Sequence, residues 1–121
     1  MVFDLVINNA DRKGSHVIRG PLGNFWLIDH GVSFHVQDKL RTVIWDFAGN
    51  PISEKLCVQM SHFRNRLISR EKTETELFSI LKNYLSSAEV NAVAERVQHL
   101  IQSGVYPSPD PERRHYPWPQ L

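Results

Sequence analysis

Apolar residues recur at helical spacing through the second half of the chain. Leu56, Met60, Phe63 and Leu67 follow Ser53, whose hydroxyl can cap a helix by accepting a backbone N–H. Thr73 and Glu76 stand at capping-box spacing ahead of Leu77, Ile80, Leu81 and Tyr84, which predicts a second helix. Ser86 and Glu89 repeat the device before Val90, Val93, Val97, Leu100 and Ile101. Gly104 is placed to end that third helix, and Pro107 blocks any continuation. Residues 53–104 thus read as helices.

The first fifty residues follow another pattern. Phe3, Val6 and Ile7 suit the last turn of a helix or a short strand, and they lead into the polar run Asn8 to Ser15. That run is rich in turn-forming Asn, Asp and Gly, and it is expected outside the core. His16-Val17-Ile18 and Phe25-Trp26-Leu27-Ile28 read as strands joined by the turn Pro21-Leu22-Gly23-Asn24. An antiparallel hairpin sets its two open ends side by side, so Asp11 to His16 should lie next to Asp29. Lys39-Leu40-Arg41 reads as a solvated start to Thr42-Val43-Ile44-Trp45, with Trp45 packed in the core. Five of the seven prolines follow Val105, and Tyr116-Pro-Trp-Pro closes the tail. The tail reads as an extended strap anchored by Trp118, or else as a peptide offered to an aromatic-lined groove. The expected fold class is mainly α with a small β-hairpin, an α+β arrangement.

Composition narrows the function. A chain of 121 residues and 14.0 kDa builds one core. Its 14 Lys and Arg against 13 Asp and Glu leave a formal charge of +1, which argues against electrostatic nucleic-acid binding. One cysteine, Cys57, excludes an internal disulfide and fits a reducing compartment. No apolar run is long enough to span a membrane, and no basic n-region marks a signal peptide, so a cytoplasmic address is expected. Arg64, Arg66 and Arg70 gather near the end of the first long helix, where the helix dipole favours cations without any ligand.

The two loops at the hairpin's open end hold parts that phosphoryl transfer requires. One carboxylate must orient the attacking hydroxyl, and a second must hold a metal bridging the phosphates. Asp11 and Asp29 are candidates for these roles. Lys13, two residues after Asp11, can steady a transferring phosphate as a point charge. His16, five after Asp11, stands where kinases usually place an Asn metal ligand. A competing arrangement is a metal site of Asp29, His30 and His35, as in hydrolases.

Asn8-Asn9-Ala10-Asp11-Arg12-Lys13 followed by Ile28-Asp29-His30-Gly31 resembles the catalytic and metal loops of the phosphatidylinositol 3-/4-kinase-like superfamily. More narrowly, the chain resembles a bacterial family of uncharacterised kinase-like proteins related to it. Phe3-Asp4, His16, Val32, Phe34-His35, Lys39 to Trp45 and Pro117-Trp118-Pro119 carry that closer likeness. The resemblance implies a kinase-like C-lobe over 1–104, with catalytic and metal loops at 8–31 and a helical part at 53–104. A Pro-rich strap at 105–121 completes it. It further implies Asp11 as catalytic aspartate with Lys13 beside it, and Asp29 with His16 as metal ligands. His30 replaces the usual Phe of the metal loop. ATP with Mg or Mn is the implied cofactor, and a phosphate acceptor the implied partner. Family members carry an N-lobe ahead of this segment, and no Gly-rich loop occurs here. The chain therefore reads as the C-terminal half of a larger protein or as a truncated reading frame, inactive without an N-lobe, with a separate N-lobe chain or self-association as the expected partner. The alternative reading is a non-enzymatic kinase-like scaffold.

Overall fold

The computed structural model describes residues 1–69 and 77–121. In chain order it contains α1 (Val2–Ile7), a 3₁₀ turn (Gly14–His16), β1 (Val17–Arg19) and β2 (Phe25–Leu27). Then follow α2 (Glu54–Ile68), α3 (Leu77–Leu81) and α4 (Ser87–Ser103). The fold is α-rich with one two-stranded antiparallel hairpin, an α+β arrangement.

The helix signals act locally and as predicted. The Ser53 hydroxyl accepts the Leu56 N–H and starts α2. Ser86 and Glu89 form a reciprocal capping box at the start of α4, and Gly104 ends it in the left-handed region at φ 65°. Helix α2 packs on α4, and α4 also packs on α1. Met60 and Leu67 of α2 meet Val90, Val93, Val97 and Leu100 of α4 in one apolar cluster with Leu5, Val6 and Ile7. Each such side chain, fully buried, contributes about 1.5–3 kcal/mol of hydrophobic stabilisation. The proposed Thr73–Glu76 cap and Arg70 lie outside the described residues. The expected buried stripe of Leu77, Ile80, Leu81 and Tyr84 is not formed: α3 stops at Leu81, none of its residues is fully buried, and Ile80 and Tyr84 are exposed.

The hairpin pairs Val17 with Leu27, Ile18 with Trp26 and Arg19 with Phe25. His16 falls in the 3₁₀ turn and Ile28 lies past β2, yet the Ile28 N–H still donates to the His16 carbonyl at 3.0 Å. Gly23 closes the connection at φ 80°, a conformation that glycine adopts without Cβ strain. The hairpin stands away from the core: Leu22, Phe25 and Trp26 are all exposed.

Three expectations are corrected by the packing. The polar run is partly core, because Asn8, Asn9 and Arg12 are fully buried with their polar atoms bonded. Trp45 is half-buried outside the apolar cluster; its indole N–H donates to the His115 carbonyl at 3.1 Å. Trp118 is no anchor, being 77% exposed, whereas its neighbour Pro117 is buried. The tail is held through its backbone. Tyr106 exchanges hydrogen bonds with Gly49 and Asn50, the His115 carbonyl accepts from Thr42, and the Gln120 carbonyl accepts from Gly14. Among the described residues, no helix is long and apolar enough to cross a membrane.

Leu67→Ala should lower the unfolding free energy in urea by about 2–5 kcal/mol, since a side chain only 1% exposed leaves a cavity where α2 meets α4. Hydrogen bonds from Ser86 hold the Glu89 carboxyl below the usual carboxylate range. A lowered folded-state pKa contributes stability that is complete at neutral pH and is lost as pH falls through that value. Glu89→Gln should therefore melt below the wild type at neutral pH, with the gap closing on acidification.

Candidate functional site

The site is assembled around a charge pair that has no exposure to solvent. Arg12 donates from Nε to Asp4 Oδ1 at 2.9 Å and from Nη2 to the same oxygen at 2.8 Å, and both side chains are 0% exposed. Helix α1 supplies Asp4, and its left-handed cap at Asn8 turns the chain so that Arg12 returns alongside the helix. Asn9 supports the same pair: its Nδ2 donates to Asp4 Oδ1 at 3.2 Å, while its Oδ1 accepts the Asp11 N–H at 2.9 Å.

The remaining Arg12 donors reach the second loop. Nη1 donates to the Ile28 carbonyl at 2.6 Å, and Nη2 lies 2.9 Å from His30 Nδ1. Guanidinium is only a donor, so His30 Nδ1 is the acceptor and Nε2 carries the proton, which faces the Leu27 carbonyl at 3.2 Å. Ile28 and His30 flank Asp29, as Asp11 and Lys13 flank Arg12. One buried guanidinium thereby ties the two candidate loops together.

The predicted site residues emerge from this base as two pairs. Lys13 Nζ lies 3.3 Å from Asp11 Oδ2, with both side chains partly exposed. His16 Nε2 lies 3.5 Å from Asp29 Oδ2, with His16 largely buried and Asp29 more than half exposed. Asp29 sits at φ 55°, a left-handed conformation that Asp tolerates better than most residues. Its Oδ1 takes the Gly31 N–H at 3.4 Å.

Asp29, His30 and His35 do not form a metal set. Both His30 nitrogens are engaged, and His35 Nδ1 accepts from the Gln37 N–H. Among the described residues, no group of three or more His, Cys, Asp or Glu side chains is arranged to hold a metal ion. His16 and Asp29 are two potential metal ligands, and their side chains contact each other at 3.5 Å. His16 Nδ1 accepts the Lys13 N–H at 3.5 Å, so in the neutral ring the proton is on Nε2, toward Asp29 Oδ2.

Sequence reasoning missed Asp4 and Arg12 as organisers of the site. The signal open to it was an acidic residue within an otherwise apolar helix and a basic residue between two candidate catalytic ones. Asp4→Asn should cost about 3–5 kcal/mol in urea unfolding, because it leaves a buried guanidinium without its counter-charge. Arg12→Lys should also destabilise the chain, as an ammonium lacks the planar fork that spans Asp4, Ile28 and His30.

No family model matches the chain, and no solved structure matches it. The chain is similar to Protein Rv2133c of Mycobacterium tuberculosis, with 38% identity over 118 residues. That alignment covers 98% of this chain and 40% of the relative, so the chain spans well under half of the relative's length.

Proposed function

We propose that this chain is the catalytic half of a phosphatidylinositol 3-/4-kinase-like phosphotransferase, corresponding to a kinase-like C-lobe. The observation that supports the reading most is the Arg12 clamp, which joins a loop carrying Asp11 and Lys13 to a loop carrying Asp29.

In this reading Asp11 orients the acceptor hydroxyl and takes its proton as the oxygen attacks. Lys13, held 3.3 Å from Asp11, offers its ammonium to the phosphoryl group in flight. Phosphoryl transfer depends chiefly on positioning and on charge stabilisation, so the rigidity that Arg12 gives both loops is itself part of the catalysis. Asp29 and His16 would hold Mg or Mn, which supplies charge neutralisation on the ATP phosphates. A nucleotide-covering lobe comes from outside these 121 residues, as a separate chain or another part of a longer protein.

The exposed hairpin favours a second reading, a kinase-like scaffold without activity. Leu22, Phe25 and Trp26 are 94%, 68% and 61% exposed, a surface suited to docking. Thermal unfolding with ATP plus Mg or Mn separates the two. A hundredfold excess over the dissociation constant should stabilise the wild type by about 2.7 kcal/mol and leave Asp29→Asn unmoved. Asp11→Asn should keep the shift, because Asp11 holds no metal in this reading. A folded chain with no shift in any form would refute nucleotide binding by this chain alone, leaving either an indispensable outside lobe or the scaffold.

A further inference from the structure

Away from these loops, a cleft of about 900 Å³ opens between α4, the 36–41 segment and the proline-rich tail. Its lining includes none of Asp11, Lys13, His16 or Asp29. Its volume lies within the range of small-molecule sites. Six cations line it: Lys39, Arg41, Arg64, Arg96, Arg113 and Arg114. Asp38, Glu95 and Asp110 are the carboxylates among them. Arg113 engages two of these, Asp38 at 3.1 Å and Asp110 at 3.3 Å. Six cations thus face three carboxylates in a chain whose overall charge is +1.

Two of the six have buried donors without a partner among the described residues. Arg64 Nε and Arg96 Nη2 are shielded from solvent and have no hydrogen-bond partner among the described residues. A buried charged donor left unsatisfied is costly, and native proteins keep few of them. Arg96 is clamped by its other nitrogens, donating from Nε to the Val6 carbonyl at 2.9 Å and from Nη1 to the His35 carbonyl at 3.3 Å. Burial pushes its guanidinium below the ordinary value, with Asp38 and Glu95 opposing the shift. The Arg64 side chain lines the cleft and has no hydrogen bond to a described residue. Helix-dipole stabilisation explains a cation at the end of α2; it does not explain a buried, unbonded Nε.

We infer that this cleft is a second binding site, taking a small phosphate-bearing anion whose oxygens are drawn by the excess of cations along its lining. Phosphate suits it better than a carboxylate, because a phosphate ester carries close to two charges and more acceptor oxygens toward several guanidinium forks. The inference does not rest on the phosphotransferase reading, since it needs neither metal nor Asp29.

The test is isothermal titration calorimetry of the whole chain with sodium pyrophosphate, in EDTA so that no divalent metal is present. Binding should weaken about tenfold in Arg64→Gln and similarly in Lys39→Gln, and should be unchanged in Asp29→Asn. The Arg64 side chain has no hydrogen bond to a described residue, and circular dichroism of each variant checks the fold. Absence of binding by the folded wild type, or full affinity in Arg64→Gln, would overturn the inference. Succinate binding as tightly as pyrophosphate would overturn the phosphate assignment. Binding to vesicles of anionic phospholipid without any binding of pyrophosphate would point to a membrane surface and overturn the small-molecule site.

Discussion

A buried carboxylate–guanidinium pair is tolerable only when nearly every donor and acceptor on it is matched, and the Asp4–Arg12 pair is built that way. Arg12 bonds Asp4 through two nitrogens, the Ile28 carbonyl through a third, and the His30 ring besides. Desolvating two charges is expensive, and replacing such a pair by apolar groups often leaves stability unchanged. Its contribution here is therefore better sought in specificity. An apolar contact would let the 8–16 loop settle in many ways, whereas a planar fork with fixed acceptors permits one. The separation between Asp11 and Asp29, and so any chemistry they share, is inherited from that geometry.

The same logic extends through the irregular segment after the hairpin. Residues 28–50 contain no helix or strand, and buried side chains stand in for a ladder. Asn8 donates to the carbonyls of His35 and Gln37 and accepts the Lys39 N–H. Arg12 and Thr42 form an isolated parallel bridge, with the Arg12 N–H on the Arg41 carbonyl and the Val43 N–H on the Arg12 carbonyl. Arg96 of α4 closes the circuit by bonding Val6 of α1 and His35 of the loop. The helical core thus supports the loops through polar bonds of known direction as well as through apolar contact, which can slide.

Charge is distributed unevenly over this frame. Around Asp11 and Asp29 each carboxylate is matched by one neighbouring cation or imidazole, Lys13 in one case and His16 in the other. The cleft beside α4 has cations in excess and buried donors unmatched. A net charge of +1 conceals that contrast, because it averages a balanced site with a basic one. The tail contributes to both regions, with His115 and Arg113 at the cleft and Gln120 bonded to Gly14 beside the loop.

Local chemistry was readable from the residues themselves. Ser53, the Ser86–Glu89 box and Gly104 set helix ends through bonds spanning three or four residues, and the hairpin follows from two apolar runs around a Gly-Asn turn. The approach of His16 to Asp29 was likewise implied once the hairpin was drawn. What escaped the sequence depends on partners brought from a distance. Asn8 and Asn9 look like solvent-facing turn residues until carbonyls from the 35–37 segment and Asp4 surround them. Trp45 and Trp118 look like core residues by type, yet Trp45 meets the backbone of a tail seventy positions later, and Pro117 takes the buried place that Trp118 was expected to hold. Arg64 reads as a dipole-complementing cation until the cleft wall encloses its Nε. Sequence alone determined the elements and the candidate residues, because caps and periodicity act within a few positions. Which polar groups are buried, and which find partners, was decided only by the tertiary structure, because desolvation depends on everything that packs around an atom.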